Sequence, residues 1–385
     1  MKLKNIIIAL GVLVAFSACS KDDDAQEQQK DKAYLSIKVA NKTISKAEVD
    51  PHELPGEANI NNLAAFVFNA TTLEGVGGKM EVLTDVSHEY EMTGIPASSG
   101  ADPVMIVLVA NAPASVMSGV KNYADLQSAL AQLSYQEQSN LTMSTQVITS
   151  DFPLDYGDNY IGFGPGYENI NNISEPLWLT RLPARLEVTG ISTKFTRAEL
   201  LGRKVRINGF YYTNVKNESH YFSVADWGVV QVDSETSNSG VTYTTGVEID
   251  NDNPATDLYY TNYVMENLGP ETPTAIVVSA TLSASDEYEA ETVFFRANIH
   301  NQNTTLFQDG INVSHRFIKR NFVYRITMAF GDNAFNGTNT DPDPEPPIDP
   351  PVDPPVDPDP DPTIFNLSVE VVGWGEVDQY VEIKE

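Results

Sequence analysis

Twenty-two residues near the C-terminus constrain this chain more than any others. Residues 341–362 read DPDPEPPIDPPVDPPVDPDPDP, with 11 prolines, eight acids and no base. Proline fixes φ near the polyproline II value and carries no amide donor, so the run cannot enter a helix or the interior of a sheet. Like charges stretch it further, and at about 3.1 Å per residue it spans roughly 70 Å. It is a spacer, and the segment beyond it is patterned: Phe365, Leu367, Val369 and Val371 alternate with Asn366, Ser368 and Glu370. That period of two marks a half-buried strand. A lone strand is unstable, because its backbone groups and its apolar face both need a partner. It must either tuck back into its own body or leave for a neighbour, and ordinary short connections need no such spacer.

The other end is built for export. Residues 1–18 carry Lys2 and Lys4 and then an apolar run from Ile6 to Ala18, too short for a bilayer-spanning helix and read as a signal peptide. Cys19 is the only cysteine, so no internal disulfide is available. The stretch FSAC resembles a bacterial lipobox, with Phe16 in place of the usual leucine, which makes Cys19 the expected lipid attachment site. SKDDD after it resembles the acidic surface-export tag of Bacteroidetes lipoproteins. With 53 acids against 24 bases the net charge is −29. Such a surface repels phosphate backbones, so no nucleic-acid partner is expected.

Between the ends, strands dominate. AYLSIKVA alternates Leu35, Ile37 and Val39; INNLAAFVFNA is strand-like from Leu63 to Phe68; DPVMIVLVANAP is apolar on both faces, as a buried strand is. One helix is predicted over YADLQSALAQLSYQEQ, with Leu126, Leu130 and Leu133 at helical spacing. Beyond it come short strands separated by NDNP, SNSG and NQN turns, the pattern of β-sandwiches. The expected organisation is a signal peptide (1–18), a lipidated leader with a plug strand (19–46) and a first domain (47–183) with one or two short helices. A second domain (184–340), the tether (341–362) and a C-terminal strand segment (363–385) complete it. The fold class is mainly β, with two β-sandwich domains.

No catalytic, metal or cofactor site is expected. His52, His88, His220, His300 and His315 are scattered without ligand spacing. GFGPGYEN alternates Gly162, Gly164 and Gly166, but Pro165 and the absence of a following helix favour a plain loop. Asp250, Asp252 and Asp257 in EIDNDNPATD lack the glycine and terminal glutamate of a calcium loop, which favours a solvated turn. The aromatics of GFYYTNV and DLYYTNYV read as cross-strand core pairs before they read as a glycan site. With 53 carboxylates, no pair stands out for acid–base work.

The leader strand LSIKV (35–39) and the tail strand LSVEV (367–371) share their order of apolar residues, and two similar leashed strands suit competition for one groove. The chain as a whole resembles the fimbrillins of Bacteroidales, the type V pilus subunits, and most of all their short-fimbria (Mfa-like) branch. SACSKDDD, INNLAAFVF, VLVANAP, LTRLPARLEV, IKRNFVYRITM, the Asp-Pro tether and VEVVGW carry the resemblance in order. It implies two sandwich domains of transthyretin-like, Greek-key topology and a lipoprotein precursor at the outer membrane. It also implies a leader strand that a surface trypsin-like protease removes and a neighbour's C-terminal strand replaces, in an extracellular fimbrium serving adhesion. On this sequence Cys19 is the lipid site, Leu35, Ile37 and Val39 the plug, and Phe365, Leu367, Val369, Val371 and Trp374 the donor strand. Relatives are cut after arginine, yet the first arginine here is Arg181. The expected scissile residue is therefore Lys46, with Lys42 the second choice. Partners are other copies of the chain and other fimbrial subunits, with a shaft position favoured because the chain ends in a donor strand. The alternative is a surface lipoprotein that binds glycans or proteins and does not polymerise.

Overall fold

The structure is a computed structural model of the chain. Its described residues are 32–40, 54–87, 89–98, 100–221, 236–237, 245–269, 271–308, 311–315, 317–338 and 365–373. They divide into two compact units, one of 32–40, 54–129 and 138–180, the other of 130–137 and the described residues from 181 onward.

The first unit opens with β1 (Lys32–Ala40), β2 (Ile60–Asn69), β3 (Gly75–Ser87), β4 (Glu89–Ser98) and β5 (Val104–Ala110). All seven residues of β5 are buried, as apolar character on both faces requires of a central strand. Two short helices follow, α1 (Ala114–Met117) and α2 (Tyr123–Ser128). Asn122 caps α2: its side chain accepts from the Asp125 amide (2.9 Å) while the Asp125 carboxylate accepts from the Asn122 amide (3.2 Å).

The helix expected to run on through Leu130 and Leu133 stops at Ser128. Ala129 is extended (φ −68°, ψ 140°), and β6 (Leu130–Gln132) pairs antiparallel with Glu218–His220 in the second unit. A 3₁₀ turn over Leu133–Tyr135 then packs Leu133 against that unit's core. Sheet pairing there outweighs helical spacing, which carried the expectation on three leucines alone.

The first unit is completed by β7 (Met143–Ser144), β8 (Ile148–Thr149), β9 (Gly157–Ile161) and β10 (Leu177–Trp178). Its strands run in the order β10-β1-β4-β3-β2-β5-β7, with β8 on β5 and β9 on β1. One hydrophobic core draws on β1, β2, β4, β5, β9 and β10.

After β11 (Thr180–Arg181) the second unit contains β12 (Pro183–Thr193), β13 (Val205–Thr213), β14 (Val215–Lys216), β15 (Glu218–His220), β16 (Thr236–Ser237) and β17 (Val247–Ile249). It continues with β18 (Tyr260–Met265), β19 (Ala275–Leu282), β20 (Glu291–Asn298), β21 (Asn301–Gln308), β22 (Ile311–His315), β23 (Phe322–Phe330) and β24 (Phe365–Gly373). Two four-stranded sheets, β18-β12-β23-β24 and β17-β13-β19-β20, share one core. Leu186, Val188, Ile326 and Met328 from the first meet Ile207, Phe210, Val278 and Phe295 from the second. Edge-to-face contacts of Phe210 with Tyr260 (5.4 Å) and Phe295 with Phe330 (5.0 Å) tie the sheets together.

One buried ion pair of this unit joins Glu266 and Arg320. Glu266 accepts from Arg320 through Nε (3.1 Å) and Nη2, and from the Ser219 hydroxyl (3.1 Å), with both charged side chains almost wholly buried. Removing one partner strands the other charge. Glu266→Ala is therefore expected to destabilise the second unit by about 3–5 kcal/mol, read as a lower denaturant midpoint, whereas truncating exposed Glu248 changes little.

Candidate functional site

Strand β1 has partners along both edges. On one side it pairs antiparallel with β4 from Lys32↔Ser98 to Ala40↔Glu89; on the other it runs parallel to β9, from Ala33↔Gly157 to Ile37↔Ile161, and then to β10 at Val39↔Leu177 and Ala40↔Trp178. Ala33, Leu35, Ile37 and Val39 are all 0% exposed. The register jumps between Leu35↔Ile95 and Ile37↔Met92, so buried Ser36 stands opposite two residues, Thr93 and Gly94, and Gly94 has φ +61°. That is a β-bulge with glycine at the left-handed position.

The walls of this slot are fixed. Asn159 donates to the Tyr34 carbonyl (3.3 Å), and the Leu179 amide donates to the Ala40 carbonyl (3.0 Å). Gly162 has φ +83°, and a Cβ there would lie 3.0 Å from the Lys38 carbonyl oxygen, so the backbone passes β1 where a side chain would crowd it. Tyr90, opposite Val39, donates its hydroxyl to Glu81 (2.6 Å); burial, then that carboxylate, push its pKa up to about 12. Burying Leu35, Ile37 and Val39 contributes roughly 5–9 kcal/mol gross. The strand is part of the first unit's core, and residues 41–53 follow it along the chain.

One position of β1 looks outward with specific partners. Lys38 Nζ lies 3.3 Å from Glu91, its register partner, and 4.6 Å from the centroid of the Phe163 ring. Phe163 is buried and packs against Tyr160 (5.2 Å) and Tyr167 (5.0 Å). The stretches LSIKV and GFGPGYEN hold Lys38 and Phe163, but neither residue, nor Glu91, had been given a role on sequence.

The tail strand lies elsewhere. All nine residues of β24 pair antiparallel with β23 of the same chain, from Phe322↔Gly373 to Phe330↔Phe365 without a bulge. Phe365, Leu367, Val369 and Val371 stand opposite Phe330, Met328, Ile326 and Tyr324, all buried in the core, and Leu367 packs against it. Of the two outcomes that the sequence left open for the tail, this is the one in which it tucks back into its own body. The reason is β23 itself, whose second edge would otherwise be open and which offers an apolar face matching the tail's alternation. Cys19, Lys42, Lys46, Trp374 and the tether lie outside the described residues.

The remaining candidates resolve into structure. Asn169 closes the GFGPGYEN loop, accepting from the Phe163 amide (3.0 Å) and donating to its carbonyl (2.6 Å). Asp250 accepts from the Asn253 side chain (2.8 Å) and amide (2.8 Å) and from the Asp252 amide (2.9 Å), bonds that hold its carboxyl below the usual range. Among the described residues no cluster of His, Cys, Asp or Glu is placed to hold a metal ion. Phe210 and Tyr212 are fully buried, and Tyr260 packs on the same core.

The family model for the C-terminal domain of Fim1C-like fimbrium tip subunits matches residues 182–374, and that for the major fimbrial subunit protein FimA matches residues 33–181. The chain is also 40% identical to the candidate fimbrium tip subunit Fim1C of Parabacteroides distasonis over 382 residues, 98% of each chain. The chain belongs to the Fim1C-like fimbrial subunits.

Among solved structures, a candidate cell adhesion protein of the same species matches with a TM-score of 0.77 at 36% identity, covering 91% of this chain and 99% of the other. A FimA fimbrillin of Porphyromonas gingivalis shares the fold, with a TM-score of 0.58 at 18% identity over 91% and 100% of the two chains. As a fimbrial subunit the chain is part of an extracellular surface appendage, and its relatives are structural and adhesive proteins.

Proposed function

We propose that this chain is the terminal, tip-type subunit of a fimbria and serves adhesion. It is made as a precursor lipidated on Cys19 and anchored in the outer membrane, with β1 as a temporary occupant of the first unit. A trypsin-like protease cuts the following segment at Lys46, or at Lys42, and the C-terminal strand of the next subunit then fills the vacated slot.

The observation that carries this reading is an asymmetry. Near its N-terminus the chain has a strand, β1, that is paired along both edges, while its own tail closes its own β23 edge. A subunit inside a strand-exchange filament must both accept and donate. One that accepts and keeps its tail ends the filament, and the 40% identity to a tip subunit supports the same position. This replaces the shaft position favoured on sequence.

Immunogold labelling of fimbriae on producing cells tests the reading. Gold confined to filament ends is expected. Gold along the shafts overturns the tip position, and gold on the cell envelope with bare filaments overturns the fimbrial role.

A further inference from the structure

In the leader's register the chain's own tail is a near copy of β1: Leu35-Ser36-Ile37-Lys38-Val39 against Leu367-Ser368-Val369-Glu370-Val371. Three apolar residues fall on fully buried positions, Phe365 falls on the fourth, that of Ala33, and Ser368 falls where Ser36 stands opposite the bulge of β4. The remaining position reverses its charge. There the slot presents the Glu91 carboxylate and the Phe163 ring, the two groups that hold Lys38. Both attract a cation, and like charges directly opposite on paired strands repel.

A slip of two residues in either direction brings a misfit of its own. One slip puts neutral Ser368 at the position of Lys38 but Asn366 opposite the bulge and polar Thr363 at the fully buried position of Ala33; the other puts Glu370 opposite the bulge and Gly373 at the position of Val39. On β23, by contrast, Glu370 takes the register position opposite Arg325.

We infer that the slot selects a donor strand carrying a basic residue at the position of Lys38, that it rejects this chain's own tail, and that the incoming strand belongs to a different subunit. This rests on the strand-exchange reading above. Glu91 and Phe163 are its specificity-determining residues at that position.

The test uses the full chain, cut within residues 41–53, and two fluorescent peptides of residues 363–375, one native and one carrying E370K. Peptide anisotropy and the intact mass of the displaced leader are read together. The E370K peptide is expected to occupy the slot about tenfold more tightly than the native peptide at low salt, with the gap narrowing as salt screens the charges. Glu91→Lys, at a half-exposed position that tolerates exchange, is expected to invert the order. Equal affinities, or a preference that Glu91→Lys leaves unmoved, overturn the selectivity and leave strand exchange standing. If neither peptide displaces the leader, the exchange reading falls and the inference falls with it.

Discussion

Ile37→Asp is expected to unfold the first unit of the precursor while the second unit keeps its own transition. Ile37 is 0% exposed, and its register partners are Met92 on β4 and Ile161 on β9, both fully buried. The substitution forfeits about 1.5–3 kcal/mol of apolar burial and adds the cost of placing a carboxylate in an apolar core, several kcal/mol more. The sum is comparable to the whole stability of a typical domain, about 5–15 kcal/mol. Calorimetry of the uncut precursor separates the outcomes. Loss of the first unit's transition is predicted, and a first unit of wild-type stability would mean that β1 is dispensable to it. Lys38→Ala, on the same strand but half exposed, should cost no more than about 1 kcal/mol.

Removing residues 339–385 is expected to act on the other unit. Without β24, β23 becomes an edge strand with nine residues of unpaired backbone on one side. Exposed edges of this kind recruit other strands. The truncated chain should lose roughly 2–4 kcal/mol in its second unit, the order of one buried aliphatic side chain plus backbone pairing. It should also associate in a concentration-dependent way on size exclusion, with the first unit's transition unmoved. If the second unit's midpoint does not shift and the truncated chain stays monomeric, the tail is not held by its own domain in solution. It would then be free to donate, and a shaft position would be restored.

How much of this was legible in the sequence depends on how local each signal is. Alternation at Leu35, Ile37 and Val39 is a property of neighbours along the chain, so the strand and its buried face could be read directly. The same holds for DPVMIVLVANAP, whose seven buried residues in β5 match its apolar character on both faces. The tail strand was equally visible, but its partner was not. Period two states which face is buried and leaves open which edge will pair, and the competing edge, β23, lies some 40 residues upstream across the tether.

The helix expected through Leu133 failed for a related reason. Leu130–Gln132 has a non-local partner in Glu218–His220, which no pattern within the segment announces. The charge-selective position is the least legible feature. Lys38, Glu91 and Phe163 come from separate strands and a loop, and only the register of β1 against β4, together with the tight passage at Gly162, brings them together. The LSIKV and LSVEV likeness set the two segments side by side, and the residue that distinguishes them, Lys38 against Glu370, was in plain view.

If residues 32–40 keep a place for a strand from another molecule, the assembled chain must have lost them. Cross-linking and peptide mapping of this chain, recovered from assembled fimbriae, decides the matter. Strand exchange predicts a chain that begins after Lys42 or Lys46, with no peptide from residues 32–40 and with cross-links from the β4 strand to the C-terminal strand of a different subunit. Recovery of the assembled chain with residues 32–40 still attached, and β4 cross-linked only to them, would contradict it.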